Sequence, residues 1–100
     1  MPNYCHYKFL HAKKRSKERY NLDLTEELHQ QFINIIESKR KLGKKHTCKE
    51  FVVKFHHNRS TYYIIYDRKR KQIITFLTRG MYIKRMIETD EQVKNRLRNK

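Results

Sequence analysis

Three runs rich in β-branched and aromatic residues follow one another closely in this chain: residues 50–56 (EFVVKFH), 61–67 (TYYIIYD) and 72–78 (QIITFLT). Val, Ile, Thr, Tyr and Phe favour extended backbone on a half-buried pleated surface. The connections between the runs are too short for the crossover that parallel strands require, so they predict an antiparallel meander. Side chains alternate across a strand. With one phase in all three strands, Phe51, Val53, Phe55, Tyr63, Ile65, Ile74 and Phe76 form the inner face. Lys54, His56, Tyr62, Tyr66 and Thr75 then lie on the outer one.

Upstream of these runs the period changes. Leu24, Leu28, Phe32, Ile35 and Ile36 make one apolar helical stripe, predicting a helix over residues 24–42. Asp23 is placed to cap it with Glu26 as box partner, and Gly43 to end it. Residues 4–20 read as a further helix, with Tyr4, Tyr7 and Leu10 on one face. Arg79-Gly80 interrupts the pattern, residues 81–87 read as a fourth strand or an irregular run, and a capping box at residues 89–92 opens a short helix over 90–99. The expectation is a single α+β domain spanning residues 1–100. It has helices within 4–42 packed on one face of a three- to four-stranded antiparallel sheet within 50–87, and a short C-terminal helix.

Charge restricts the partners. The chain has 25 Lys and Arg against 10 Asp and Glu in 100 residues, a formal net charge of +15. So basic a domain repels itself and gains by meeting a polyanion, which points to nucleic acid. The clusters are Lys13, Lys14, Arg15, Lys17 and Arg19; Lys39, Arg40, Lys41, Lys44 and Lys45; and Arg68 to Lys71. Two cysteines with no CxxC pair suggest a reducing compartment. The absence of an 18-residue apolar run and of a leading signal segment points to the cytoplasm, with no membrane partner. Six histidines occur without HExxH or paired cysteines, so no metal is expected, and no cofactor motif is present.

Metal-free RNA cleavage needs a base for the ribose 2′-hydroxyl, an acid for the leaving oxygen and cations for the phosphorane. The sheet region supplies suitable groups: His56, Arg59, Thr75, Arg79 and Tyr82. Lys13, Lys14, Arg15, Lys44, Lys45, Lys54, Lys84 and Arg85 are candidate phosphate contacts, and Tyr62 and Tyr66 candidate base-stacking residues.

The segment TYYIIYDRKRKQIITFLTRGMY, with its Tyr-x-Ile-x-Tyr strand, charged turn, second apolar strand and Arg79 shortly before Tyr82, resembles the barnase–EndoU–colicin–RelE superfamily of small RNases. The likeness spans residues 24 to about 84. It implies N-terminal helices on an antiparallel sheet, an active site on the open face, Arg79 on phosphate, Tyr82 near the scissile bond and Arg59 at the mouth. The phage and contact-dependent branches make His56 and Thr75 competing working residues. The implied function is a metal-independent endoribonuclease, toxin- or phage-effector-like. Its RNA would be free, or mRNA or tRNA on the ribosome, and an acidic antitoxin or immunity protein its antidote. A non-catalytic basic nucleic-acid-binding or inhibitor protein is the alternative.

Overall fold

The computed structural model describes residues 5–39, 43–46 and 49–87. In chain order the elements are α1 (His6–Tyr20), α2 (Glu26–Glu37), β1 (Lys44–Lys45), β2 (Glu50–His57), β3 (Ser60–Asp67), β4 (Gln72–Leu77) and α3 (Arg79–Met86). The strands form one antiparallel sheet in the order β1-β2-β3-β4. With α1 and α2 packed on one face, this is the expected α+β architecture. The fourth strand is β1, which pairs Lys44 with Val52 and Lys45 with Phe51.

The helices differ in detail from the expectation. α1 buries Phe9, Ala12 and Ser16, which recur at helical spacing. Burying Phe9 turns Tyr7 and Leu10 outward, to 81% and 48% exposure. Tyr4 lies outside the described residues. α2 is capped by Thr25, whose Oγ1 accepts from Leu28 N–H at 3.1 Å. Asp23 instead pairs with Lys13 Nζ at 3.1 Å. The helix ends at Glu37 rather than at 42, and residues 40–42 lie outside the described residues. Gly43 serves another purpose: its φ is +137°, and a Cβ there would lie 2.1 Å from the Val52 carbonyl oxygen. Only glycine tolerates that conformation and that approach.

The strand phase is a second difference. Register pairs Phe51 with Tyr66, Val53 with Ile64 and Phe55 with Tyr62. Directly opposed residues share a face, so β3 turns Tyr62, Ile64 and Tyr66 toward the helices. β4 carries a bulge: Tyr66 pairs with Ile73 and Ile65 with Thr75, leaving Ile74 as the extra residue. Ile73 and Phe76 therefore face the helices, while Ile74 packs on the other side. The physical reason lies in β3, which is apolar on both faces, so polarity alone does not choose its phase. Tyr62 completes an aromatic cluster, with ring centroids 5.1 Å from Tyr20, 5.3 Å from Phe32 and 5.5 Å from Phe55.

The second sheet face has its own apolar patch of Val52, Ile65 and Leu77, joined by Tyr63, Ile74, Met81 and Tyr82. α3 covers part of it. The sheet thus ends at Leu77, and residues 81–86, expected as strand or irregular, are helix. Thr78 starts that helix, its Oγ1 accepting from Met81 N–H at 3.2 Å. The helix expected over 90–99 lies outside the described residues.

β4 is an edge strand, and unpaired edges invite unwanted pairing. Here its polar groups, side-chain and backbone, are answered by the helical layer. Gln72 Nε2 donates to the Cys5 carbonyl at 2.6 Å, while its Oε1 accepts from Cys5 N–H at 3.1 Å. His29 Nε2 accepts from Ile73 N–H at 3.1 Å. The Arg19 guanidinium donates to the Phe76 carbonyl, and the Tyr20 hydroxyl to that of Leu77. The same hydroxyl accepts from Tyr63 N–H at 3.3 Å, inserting itself between β3 and β4.

Candidate nucleic-acid interface

The sheet distributes the candidate residues over two ends and two faces. At the hairpin end, on the face opposite α1 and α2, one cross-strand row is Lys54, Tyr63 and Leu77, and the next is His56 and Thr61. His56 is exposed, and its Nδ1 lies 3.0 Å from Thr61 Oγ1. This contact fixes the imidazole. With Thr61 accepting from Nδ1–H, Nε2 carries the lone pair that a base requires.

The β2–β3 turn sits beside them. Asn58 and Arg59 have φ of 48° and 68°, the positive values of a tight hairpin turn. Glycine is the usual second residue, whereas here Arg59 places an exposed guanidinium at the tip. Antiparallel order brings Arg79, at the start of α3, to the same end. Tyr82 stacks on Tyr63 with ring centroids 4.5 Å apart. His56, Arg59, Lys54, Arg79 and the Tyr63–Tyr82 pair thus share one end of one face.

Thr75 does not join them. It belongs to the row of Val52 and Ile65, two strands and two rows from His56. That is about 10 Å across and about 13 Å along the sheet, too far for one phosphate. Tyr62 and Tyr66 are also removed from the expected surface. Both are buried on the helix face, and the Tyr66 hydroxyl donates to Glu37 Oε2 at 2.6 Å. Burial, then that hydrogen bond, raises the Tyr66 pKa.

The other cations are dispersed. Lys13, Lys14 and Arg15 lie on α1, across the sheet from His56. Lys13 is paired with Asp23, and Arg15 with Glu18 at 2.6 Å. His11, on the same helix, has a lowered pKa, first from desolvation and then from Arg15, Arg19 and Lys14. Lys44 Nζ donates to the Met86 carbonyl at 3.2 Å, serving the C-terminal end of α3. Lys84 and Arg85 lie in the last turn of that helix.

At the opposite end of the sheet is an open groove of about 590 Å³ lined by Lys45, Lys49, Phe51, Arg68 and Lys69. Of these, Lys45 was among the named contacts, and Arg68 and Lys69 belong to the third basic cluster. These residues become neighbours through β-pairing. Among the described residues no group of three His, Cys, Asp or Glu side chains could hold a metal ion. No described helix is long and apolar enough to cross a membrane. Comparison with protein-family models, curated proteins and solved structures found no match to this chain.

Proposed function

We propose that this protein binds nucleic acid, with the hairpin end of the α3-side sheet face as a principal contact surface. The observation that carries this reading is the grouping of Lys54, His56, Arg59 and Arg79 around the Tyr63–Tyr82 ring pair. Cations beside aromatic rings suit a phosphate backbone with accessible bases. Binding would be steeply salt-dependent. The test is fluorescence anisotropy with labelled RNA across a salt series. A Lys54→Gln, Arg59→Gln, Arg79→Gln variant should weaken binding and flatten the salt dependence. Unchanged binding would refute this surface.

A second reading, metal-independent endoribonuclease, is favoured by the Thr61-fixed imidazole of His56. In that reaction His56 removes the 2′-hydroxyl proton and the 2′-oxygen attacks phosphorus. The 5′-oxygen leaves with a proton taken from water, giving a 2′,3′-cyclic phosphate and a 5′-hydroxyl end. Arg79 and Arg59 would hold the phosphorane. An acidic antidote protein would compete for the same cations, and a cytoplasmic location would suit an RNA target. End-mapping of naked RNA in EDTA tests this with wild type, His56→Ala and Arg79→Ala. Cyclic-phosphate ends lost in a variant support cleavage. RNA left intact by the wild type, though bound, leaves the binding reading alone.

A further inference from the structure

The groove at the far end of the sheet lies on the helix-side face and is separate from the surface just described. Register sets Lys45 opposite Phe51 on β1 and β2. The Arg68 backbone N–H donates to the Lys49 carbonyl at 3.0 Å, tying the β3–β4 turn to the approach to β2. Cations from three chain segments are therefore held around one aromatic ring, although they repel one another.

The neighbouring carboxylates do not line this groove. Asp67 is fully buried, with Oδ1 accepting from the Arg70 backbone N–H at 3.0 Å and Oδ2 3.3 Å from Arg70 Nε. Glu50 falls on the other sheet face by alternation. Glu37 accepts from the Tyr66 hydroxyl. Among the described residues, the four groove cations form no salt bridge. Such an assembly is stabilised by an incoming anion.

Size and the ring define that anion. The volume, about 590 Å³, falls in the range typical of small-molecule sites and exceeds what a bare phosphate would fill. Phe51 is half-buried at the groove, packed on one side against the main core. A duplex base is already stacked on both faces, whereas an unpaired base can lie on an aromatic ring. We infer that this groove is a second nucleic-acid site, which takes a phosphate and its unpaired base from a single strand. It would hold the phosphate among Lys45, Lys49, Arg68 and Lys69, with the base against Phe51. The inference rests on the nucleic-acid reading above but not on the hairpin-end surface.

The experiment is anisotropy with a fluorescein-labelled oligouridylate, a duplex of equal length and a poly-glutamate competitor. One variant replaces Lys45, Lys49, Arg68 and Lys69 by Gln. A control with the same net charge replaces Lys8, Lys17, Lys39 and Lys94 by Gln. One single-strand phosphate contributes about 0.7 to the slope of log affinity against log salt. The groove variant should lose about that much, and the control far less. Phe51→Leu, with its fold checked by circular dichroism, should weaken binding roughly 5- to 150-fold at unchanged slope. Equal losses in groove and control variants, or wild-type affinity in Phe51→Leu, would overturn the inference. So would duplex binding as tight as single-strand binding, or equally effective displacement by poly-glutamate. In those cases the hairpin-end reading would stand on its own variants. A wild-type chain that binds neither oligonucleotide would remove both.

Discussion

The buried imidazole of His29 makes this fold acid-sensitive in a calculable way. His29 is 3% exposed, and its Nε2 accepts a hydrogen bond from Ile73 N–H on the edge strand. Desolvation lowers its pKa from 6.5 to about 4. The neutral ring is the form the fold accepts, because protonation would desolvate a charge and convert the acceptor into a donor facing an N–H. Below pH 6.5 the unfolded chain binds the proton more readily than the folded one, so stability falls with pH. The His29 contribution is fully present above pH 6.5 and is lost as pH drops toward 4. Linkage gives a loss of about 2–3 kcal/mol between pH 7 and pH 4.5. Gln at this position keeps an acceptor near the Nε2 site and does not titrate. Urea unfolding of wild type and His29→Gln at half-unit pH steps isolates the term from the other histidines and the carboxylates. Wild type should lose about 2–3 kcal/mol more than the variant over that interval. Parallel stability curves would refute the reasoning, since they would mean that His29 is protonated or solvated in the folded chain.

Removing the Tyr20 hydroxyl should cost about 1–3 kcal/mol by thermal or urea unfolding, because Tyr20→Phe strands both the Leu77 carbonyl and the Tyr63 N–H. Tyr66→Phe should cost only about 1 kcal/mol or less, since the exposed Glu37 carboxylate regains water. Gly43→Ala should destabilise by about 1–3 kcal/mol from backbone strain and the contact with Val52, read as a lower Tm. Arg59→Gly should do the opposite, raising stability by about 1 kcal/mol through relief of a positive-φ side chain. RNA affinity should fall in the same variant; a gain in both would remove Arg59 from the interface.

The meander, the apolar stripe of α2 and the basic character were all readable from local pattern, because each depends on neighbours in sequence. Val, Ile, Tyr and Phe mark strands wherever they cluster, and β2 shows its inner face because Lys54 and His56 alternate with Val53 and Phe55. In β3 the pattern fails for a physical reason. Tyr62, Ile64 and Tyr66 are about as apolar as Tyr63 and Ile65, so hydropathy cannot tell the faces apart. Cross-strand register with Phe55 and packing on Phe32 and Tyr20 choose between them. The bulge at Ile74 and the helix at Arg79–Met86 likewise answer a patch of Val52, Ile65 and Leu77 that exists only once the sheet has formed. The candidate site divides in the same way. Residue chemistry nominated His56, Arg59 and Arg79, and strand pairing brings them to one end while leaving Thr75 in another row. The groove of Lys45, Lys49, Phe51, Arg68 and Lys69 joins residues from separate segments, so no spacing in the chain announces it. Composition settles the net charge of this protein; long-range pairing settles which of its charges lie together.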